Sequence, residues 1–347
     1  MKIPILTLLE KNANMLLEKA FINELNHLGK TGEPFLFIID FEELSPLVYP
    51  LAKIPDTIRF MMPEYHQQIN PIAAKTKFHL EKQPVPYPDY LTAFERVMHH
   101  LRQGNSYLVN LTFPTPIETS LTIEEIYELS EAPYKLLIKN RFVVFSPEPF
   151  VRINGGIISS YPMKGTIDAS LPDAEYKVLE DPKETSEHTT IVDLIRNDLS
   201  KIADNVEVNR YRYIDRIQTH EKEILQVSSE IRGHLPNGFS MHIGDILDAL
   251  LPAGSISGAP KKRTLEIIRE AEVEPRGYYT GIFGVFDGQN MKSAVMIRFI
   301  EQTKTGLRYR SGGGITHLSQ PMAEYREMLD KVYLQITNHK LKGSKNF

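Results

Sequence analysis

The chain has 347 residues, 41% apolar and 24% charged, the composition of an ordinary globular protein with room for two domains or one large intertwined one. Its formal net charge of -4 offers no basic face for a polyanion, so the expectation is no nucleic-acid and no membrane partner. Cysteine is absent, which removes disulfides, thiolate nucleophiles and cysteine metal sites and suits a cytoplasmic protein.

The apolar start Ile3-Pro4-Ile5-Leu6-Thr7-Leu8-Leu9 is cut short by Glu10, Lys11 and Asn12, so it does not read as a signal peptide. Apolar spacing predicts a helix from Ala13 to Leu28, and residues 34 to 41 form a candidate buried strand. Pro84, Pro86 and Pro88 mark an extended connection between Lys75 and Asp89, a candidate boundary between a variable N-terminal part (1–85) and the remainder. A helix follows from Tyr90 to Gln103, stopped by Gly104, and then a strand from Ser106 to Phe113. Residues 134–138 and 142–146 read as strands about an Asn140 turn, with further strands at 150–153 and 156–161. A helix over 187–202 carries Ile191, Ile195, Leu199 and Ile202 as its seam. Shorter helices are expected at 243–251 and 260–271. A hairpin is expected with strands at 278–286 and 291–301. A strand at 307–311 then leads into Gly312-Gly313-Gly314, and a last helix over 321–336 turns Met322, Tyr325, Leu329, Val332 and Ile336 inward. This is antiparallel β with helices around it rather than a doubly wound sheet, hence an α+β fold.

Without cysteine, the candidate metal ligands are carboxylates, hard donors suited to Mg2+. Glu324 and Glu327 share a helix face at i,i+3, where they either complement the helix dipole or ligate an ion, and Glu187 stands at the predicted start of another helix. The glycine triplet is either a nest of anion-facing amides or a flexible turn. Arg298 lies in an apolar run, so its guanidinium needs an anion, from a neighbouring carboxylate or from a substrate. Lys164, in Tyr161-Pro162-Met163-Lys164-Gly165-Thr166, reads on its own as a turn lysine.

Four segments occur together in order: that hexapeptide, Ile191-Val192-Asp193-Leu194-Ile195-Arg196-Asn197-Asp198, Gly254-Ser255-Ile256-Ser257-Gly258-Ala259-Pro260-Lys261, and Gly312-Gly313-Gly314-Ile315. Over residues 90–336 the chain thereby resembles the chorismate-utilising enzymes, which include the anthranilate, aminodeoxychorismate, isochorismate and salicylate synthases. The resemblance implies one chorismate-binding domain over 1–347, in which two antiparallel sheets pack together with helices outside. It implies Mg2+ on Glu187 and Glu327, with Glu324 reaching the ion through water. It places Arg298, Tyr279 and the amides of Gly312, Gly313 and Gly314 at the substrate carboxylate. Ser255 and Thr166 fall beside the ring, and Glu148 is the acid that protonates the departing 4-hydroxyl.

Lys164 discriminates within the family. The resemblance implies alanine there in anthranilate synthases and a nucleophilic lysine in aminodeoxychorismate synthases. Such an amine must be neutral, and burial among apolar groups near a magnesium ion is expected to depress its pKa. Water-adding members carry a lysine base where this chain has Leu108, and leucine cannot activate water. These features imply an enzyme that makes 4-amino-4-deoxychorismate from chorismate and ammonia, with ammonia from a separate glutamine amidotransferase subunit. The alternatives are anthranilate or isochorismate/salicylate synthesis, and a non-catalytic chorismate-binding protein. Two departures stand out. The family's His-Leu-Val-Ser pattern is Leu225-Gln226-Val227-Ser228 here, with neither His188 nor His220 a substitute by position. The Leu-Leu-Glu-Ser motif for tryptophan feedback is also missing.

Overall fold

The computed structural model describes residues 17–66, 78–218 and 223–336. Helix α1 (Lys19–Thr31) leads into β1 (Phe35–Ile39), β2 (Leu47–Pro50), β3 (Ile58–Met62), β4 (Tyr65–His66) and β5 (Leu80–Lys82). Next come α2 (Tyr87–Arg102), β6 (Leu108–Thr119), α3 (Ile123–Leu129), β7 (Tyr134–Ile138), β8 (Phe142–Ser146), β9 (Pro149–Asn154), β10 (Ile157–Ser160) and β11 (Met163–Asp168). Helices α4 (Ala174–Glu180) and α5 (Pro182–Leu199) precede the long β12 (Asp204–Gln218) and β13 (Glu223–His234). The last part holds α6 (Ile243–Leu250), the single turn α7 (Gly254–Ser257), β14 (Gly258–Ala259), α8 (Lys261–Ala271), β15 (Ile282–Phe286), β16 (Met291–Val295), β17 (Phe299–Thr303), β18 (Gly306–Ile315) and α9 (Pro321–Asp330).

The strands form two sheets. The first runs β11-β13-β10-β9-β16-β15-β1-β2, with β12 also on β13; the second runs β14-β6-β18-β17-β8-β7-β3-β4, with β5 also on β6. Strand β1 explains how they stack. All five of its residues are buried, and alternate side chains enter different cores. Leu36 and Ile38 pack with Phe60, Leu136 and Val144 of the second sheet, while Phe35, Phe37 and Ile39 pack under α1 and its neighbouring helices. The second sheet's outer face is covered by α3 and by the extended chain around Val332, Leu334 and Ile336. The expected α+β architecture of two packed antiparallel sheets is what the chain adopts. The proline-rich connection carries β5, and the chain before it contributes strands to both sheets.

Several predicted elements differ from those observed. Helix α1 begins at Lys19, and the part expected before residue 17 lies outside the described residues. The helix over 187–202 starts earlier, at Pro182, capped by the Asp181 side chain, which accepts from Glu184 N at 2.9 Å. The last helix stops at Asp330, because Val332, Leu334 and Ile336 alternate inward as extended chain and Ile336 bridges Ser130. Met322, expected inside, is 41% exposed. The strand expected over 291–301 is two strands. Strand β16 belongs to the first sheet and β17 to the second, so Met296-Ile297-Arg298 crosses between them, with Arg298 left-handed at φ 52°.

Candidate active site

Lys164 stands on β11, the edge strand of the first sheet, where pairing with β13 slips between Met163 and Thr166. Gly165 supplies the left-handed residue of that bulge, at φ 80°. A bulge adds a residue and re-aims the neighbouring side chain. The Lys164 ammonium thus reaches Glu187 Oε2 at 3.4 Å, on the second turn of α5. Thr166, just past the bulge, is exposed and pairs with Gln226 across the sheet; among the described residues no side-chain bond ties it to the cluster.

The opposite wall is β18. Its glycine triplet consists of strand residues in register, Gly312 with Thr112, Gly313 with Leu111 and Gly314 with Asn110, and none of the three has a positive φ. The expected nest of turn amides is therefore absent. The requirement for glycine is steric instead. A Cβ on Gly312 would lie 2.3 Å from Leu111 O, and one on Gly314 would lie 2.9 Å from Leu108, 3.1 Å from Glu187 Oε2 and 3.4 Å from Lys164 Nζ. Gly314 thus makes room for the lysine and carboxylate to meet against buried Leu108.

Glu148 follows β8, and its Oε1 accepts from the Ser255 hydroxyl on α7 at 2.7 Å. Burial raises its pKa against the opposing pull of Ser255, Lys164, Arg298 and Lys331, which favours the protonated acid. Arg276 fixes that wall. Its guanidinium is buried against Glu272 and donates to Ile256 O at 2.8 Å and Asn110 O at 2.6 Å, tying α7 to β6.

Arg298 lies over the Tyr333 ring, 4.9 Å from its centroid, and its Nε is buried with no hydrogen-bond partner. No carboxylate pairs with it among the described residues. Its guanidinium donates to Lys331 O at 3.5 Å. Tyr279 is buried beside β17, its ring 5.9 Å from Phe299, and burial pushes its phenol up to about 12. Arg298 also occupies a costly backbone region, of the kind that accumulates at ligand clamps.

The three carboxylates assigned to Mg2+ converge, but on an ammonium absent from the sequence-derived site. Lys183 Nζ lies 2.8 Å from Glu324 Oε1, 3.5 Å from Glu187 Oε1 and 3.8 Å from Glu327 Oε2. A second unexpected lysine, Lys331, pairs with Glu327 at 2.8 Å and donates to Gly312 O at 2.9 Å. The donor chemistry fits Mg2+, since all three groups are carboxylates and buried Glu187 Oε1 has no hydrogen-bond partner. Among the described residues no three such side chains already stand as a ligand set.

In the metal-free protein the carboxylates outweigh burial at Lys164. Burial pushes the Lys164 pKa down, but Glu187, Glu148 and Glu184 push it up further, and the net shift is upward. Its surroundings are carboxylates rather than apolar groups, so the lysine is held charged. His188 is buried against Ser229, Nε2 to Oγ 2.7 Å, and burial lowers its pKa to about 4, which keeps it neutral. Leu225, in place of the family histidine, is buried on β13; His220 lies outside the described residues.

With this geometry in place, residues 50–337 match the family model described as chorismate binding enzyme. The chain belongs to the chorismate-binding enzymes. It is 51% identical over 319 residues to an uncharacterised PabA-like protein of Pasteurella multocida, covering 91% of this chain and 98% of that one. It is 34% identical over 290 residues to an anthranilate synthase component 1 of Haloarcula marismortui, covering 79% of this chain and 56% of that one. Against the aminodeoxychorismate synthase component 1 of Bacillus subtilis the figures are 30% over 265 residues, covering 72% and 55%. No helix of the described residues is long and apolar enough to cross a membrane.

Proposed function

We propose that the chain is the synthase component of an aminodeoxychorismate synthase, converting chorismate and ammonia to 4-amino-4-deoxychorismate on the route to 4-aminobenzoate and folate. The observation that carries this reading is the amine of Lys164, aimed by its bulge at Glu187 and Gly314, with Leu108 where a water-activating lysine would stand. In this reading the Lys164 nitrogen bonds to C2 as the ring double bond shifts and the C4–oxygen bond breaks. Glu148 delivers its proton to the leaving hydroxyl, which departs as water. Ammonia then adds at C4, gives a proton back to Glu148, and the C2–nitrogen bond breaks to restore the amine. Arg298, which has no carboxylate partner among the described residues, takes the enolpyruvyl carboxylate beside Tyr279. Mg2+ held by Glu187, Glu327 and Glu324 would bind the ring carboxylate and offset the negative charge around Lys164. A chain without cysteine has no thiolate for glutamine hydrolysis, so ammonia comes from a separate amidotransferase subunit.

The test is product identity. Chorismate, Mg2+ and ammonium are expected to yield 4-amino-4-deoxychorismate, which becomes 4-aminobenzoate only when a lyase is added. Anthranilate or isochorismate in the chromatogram would overturn the reading. Tryptophan is expected to leave the rate unchanged, and a titration that halved activity would count against that.

A further inference from the structure

Lys183 is one helical turn before Glu187, at i,i+4 on α5, and its ion-pair partners among the described residues are all carboxylates. The side chains of Glu187 and Glu324 are only 5% and 3% exposed. Two buried carboxylates facing each other without a cation are costly, so in the metal-free protein this ammonium is what allows them to converge. The two oxygens of Glu187 are shared out: Oε2 faces Lys164 and Oε1 faces Lys183. Lys331 is anchored differently, since it also donates to the β18 backbone at Gly312 O. Lys183 has no such backbone bond among the described residues, and its side chain is 28% exposed, which leaves it a way out to solvent.

We propose that Lys183 is a tethered cation that stands in for the divalent ion among Glu187, Glu324 and Glu327 and is expelled when that ion binds, so that it sets the metal affinity. The proposal rests on the reading of these carboxylates as the Mg2+ site. It needs no change of protonation, only the exchange of one cation for another. The metal-free site is thereby held in shape, and each binding event must displace a side chain that is already paired.

Mg2+ titration by calorimetry on the full chain tests this independently of turnover. Lys183→Met is expected to bind Mg2+ about tenfold tighter than the wild type, the loss of a competitor worth one decade of affinity. Metal-free Lys183→Met should melt at a lower temperature, with the gap closing at saturating Mg2+. Lys183→Arg keeps the charge and should bind no tighter than the wild type. Equal affinity in wild type and Lys183→Met, or an arginine variant as tight as the methionine one, would overturn the proposal. A readout without any variant is acylation of Lys183 by an amine-reactive ester, followed by peptide mass spectrometry. Mg2+ should raise its labelling several-fold, and unchanged labelling in the presence of bound Mg2+ would sink the exchange. If the wild type takes up no Mg2+ at all, the metal reading itself falls and the inference falls with it.

Discussion

Lys164→Ala is expected to lower formation of 4-amino-4-deoxychorismate by about a thousandfold or more, because it removes the group proposed to form the bond at C2. Chorismate should still bind, since Arg298 lies outside the change and its guanidinium has no carboxylate partner among the described residues. Rapid acid quench and intact-mass measurement should find a chorismate-derived adduct on the wild-type chain and none on the variant. An adduct that survived in Lys164→Ala would place the nucleophile elsewhere. The charge state makes the test sharper. The carboxylates hold Lys164 protonated while burial holds a proton on Glu148 more firmly than usual. The reactive form needs a neutral amine beside a protonated acid. With both groups holding their protons, that form is reached when Lys164 alone gives up one proton. The wild-type rate is therefore expected to rise with pH as Lys164 gives up its proton, and a rate that stayed flat into the alkaline range would mean that the attacking amine is not held charged.

The strands at 134–138 and 142–146 were legible because every residue suits a buried strand and Asn140 takes the left-handed turn between them. Arg298 and the three carboxylates were candidates from their own sequence context, whereas Glu148 was singled out only through the motifs that accompany it. What spacing could not reveal is set by tertiary partners. Residues 294–300 are apolar but for Arg298, and nothing local shows that β16 and β17 join different sheets with Arg298 at the crossing. The glycine triplet looked like a source of unusual torsions, yet its torsions are ordinary; glycine is needed because Leu111 O and Glu187 press against it. Lys164 was expected among apolar groups near a magnesium ion, but its electrostatics depend on side chains from α5 and from the chain just after β8 that no local pattern brings to it. Lys183 was missed for a simpler reason. The helix was expected to start at Glu187, which left Lys183 in a loop, whereas Asp181 followed by Pro182 is an N-cap signal five residues earlier. With that cap recognised, Lys183 and Glu187 fall at i,i+4 on one face.

Glu43→Gln is expected to stabilise the protein at alkaline pH and leave it nearly unchanged in mild acid. Glu43 lies just after β1 at φ 59°, is 4% exposed, and neither carboxylate oxygen has a hydrogen-bond partner among the described residues. Its neighbours differ from it in this respect: Asp40 accepts from Leu44 N and Ser45 N, and Glu42 accepts from Arg276 N and Gly277 N. Burial first, then the nearby Asp248 and Asp40, raise the Glu43 pKa to about 8, with Lys261 opposing. The folded pKa is above the unfolded one, so this group's contribution is fully present below about pH 4.5 and is lost as pH rises through 8. Complete ionisation costs on the order of 5 kcal/mol of folding free energy, since each tenfold difference in proton affinity between the folded and unfolded chain is worth about 1.4 kcal/mol. Glutamine is uncharged throughout, so denaturant unfolding at pH 5, 7 and 9 should show the wild type losing stability across that window and the variant holding level there. Parallel pH profiles for the two proteins would mean that the folded chain supplies Glu43 with a partner that keeps its carboxylate ionised.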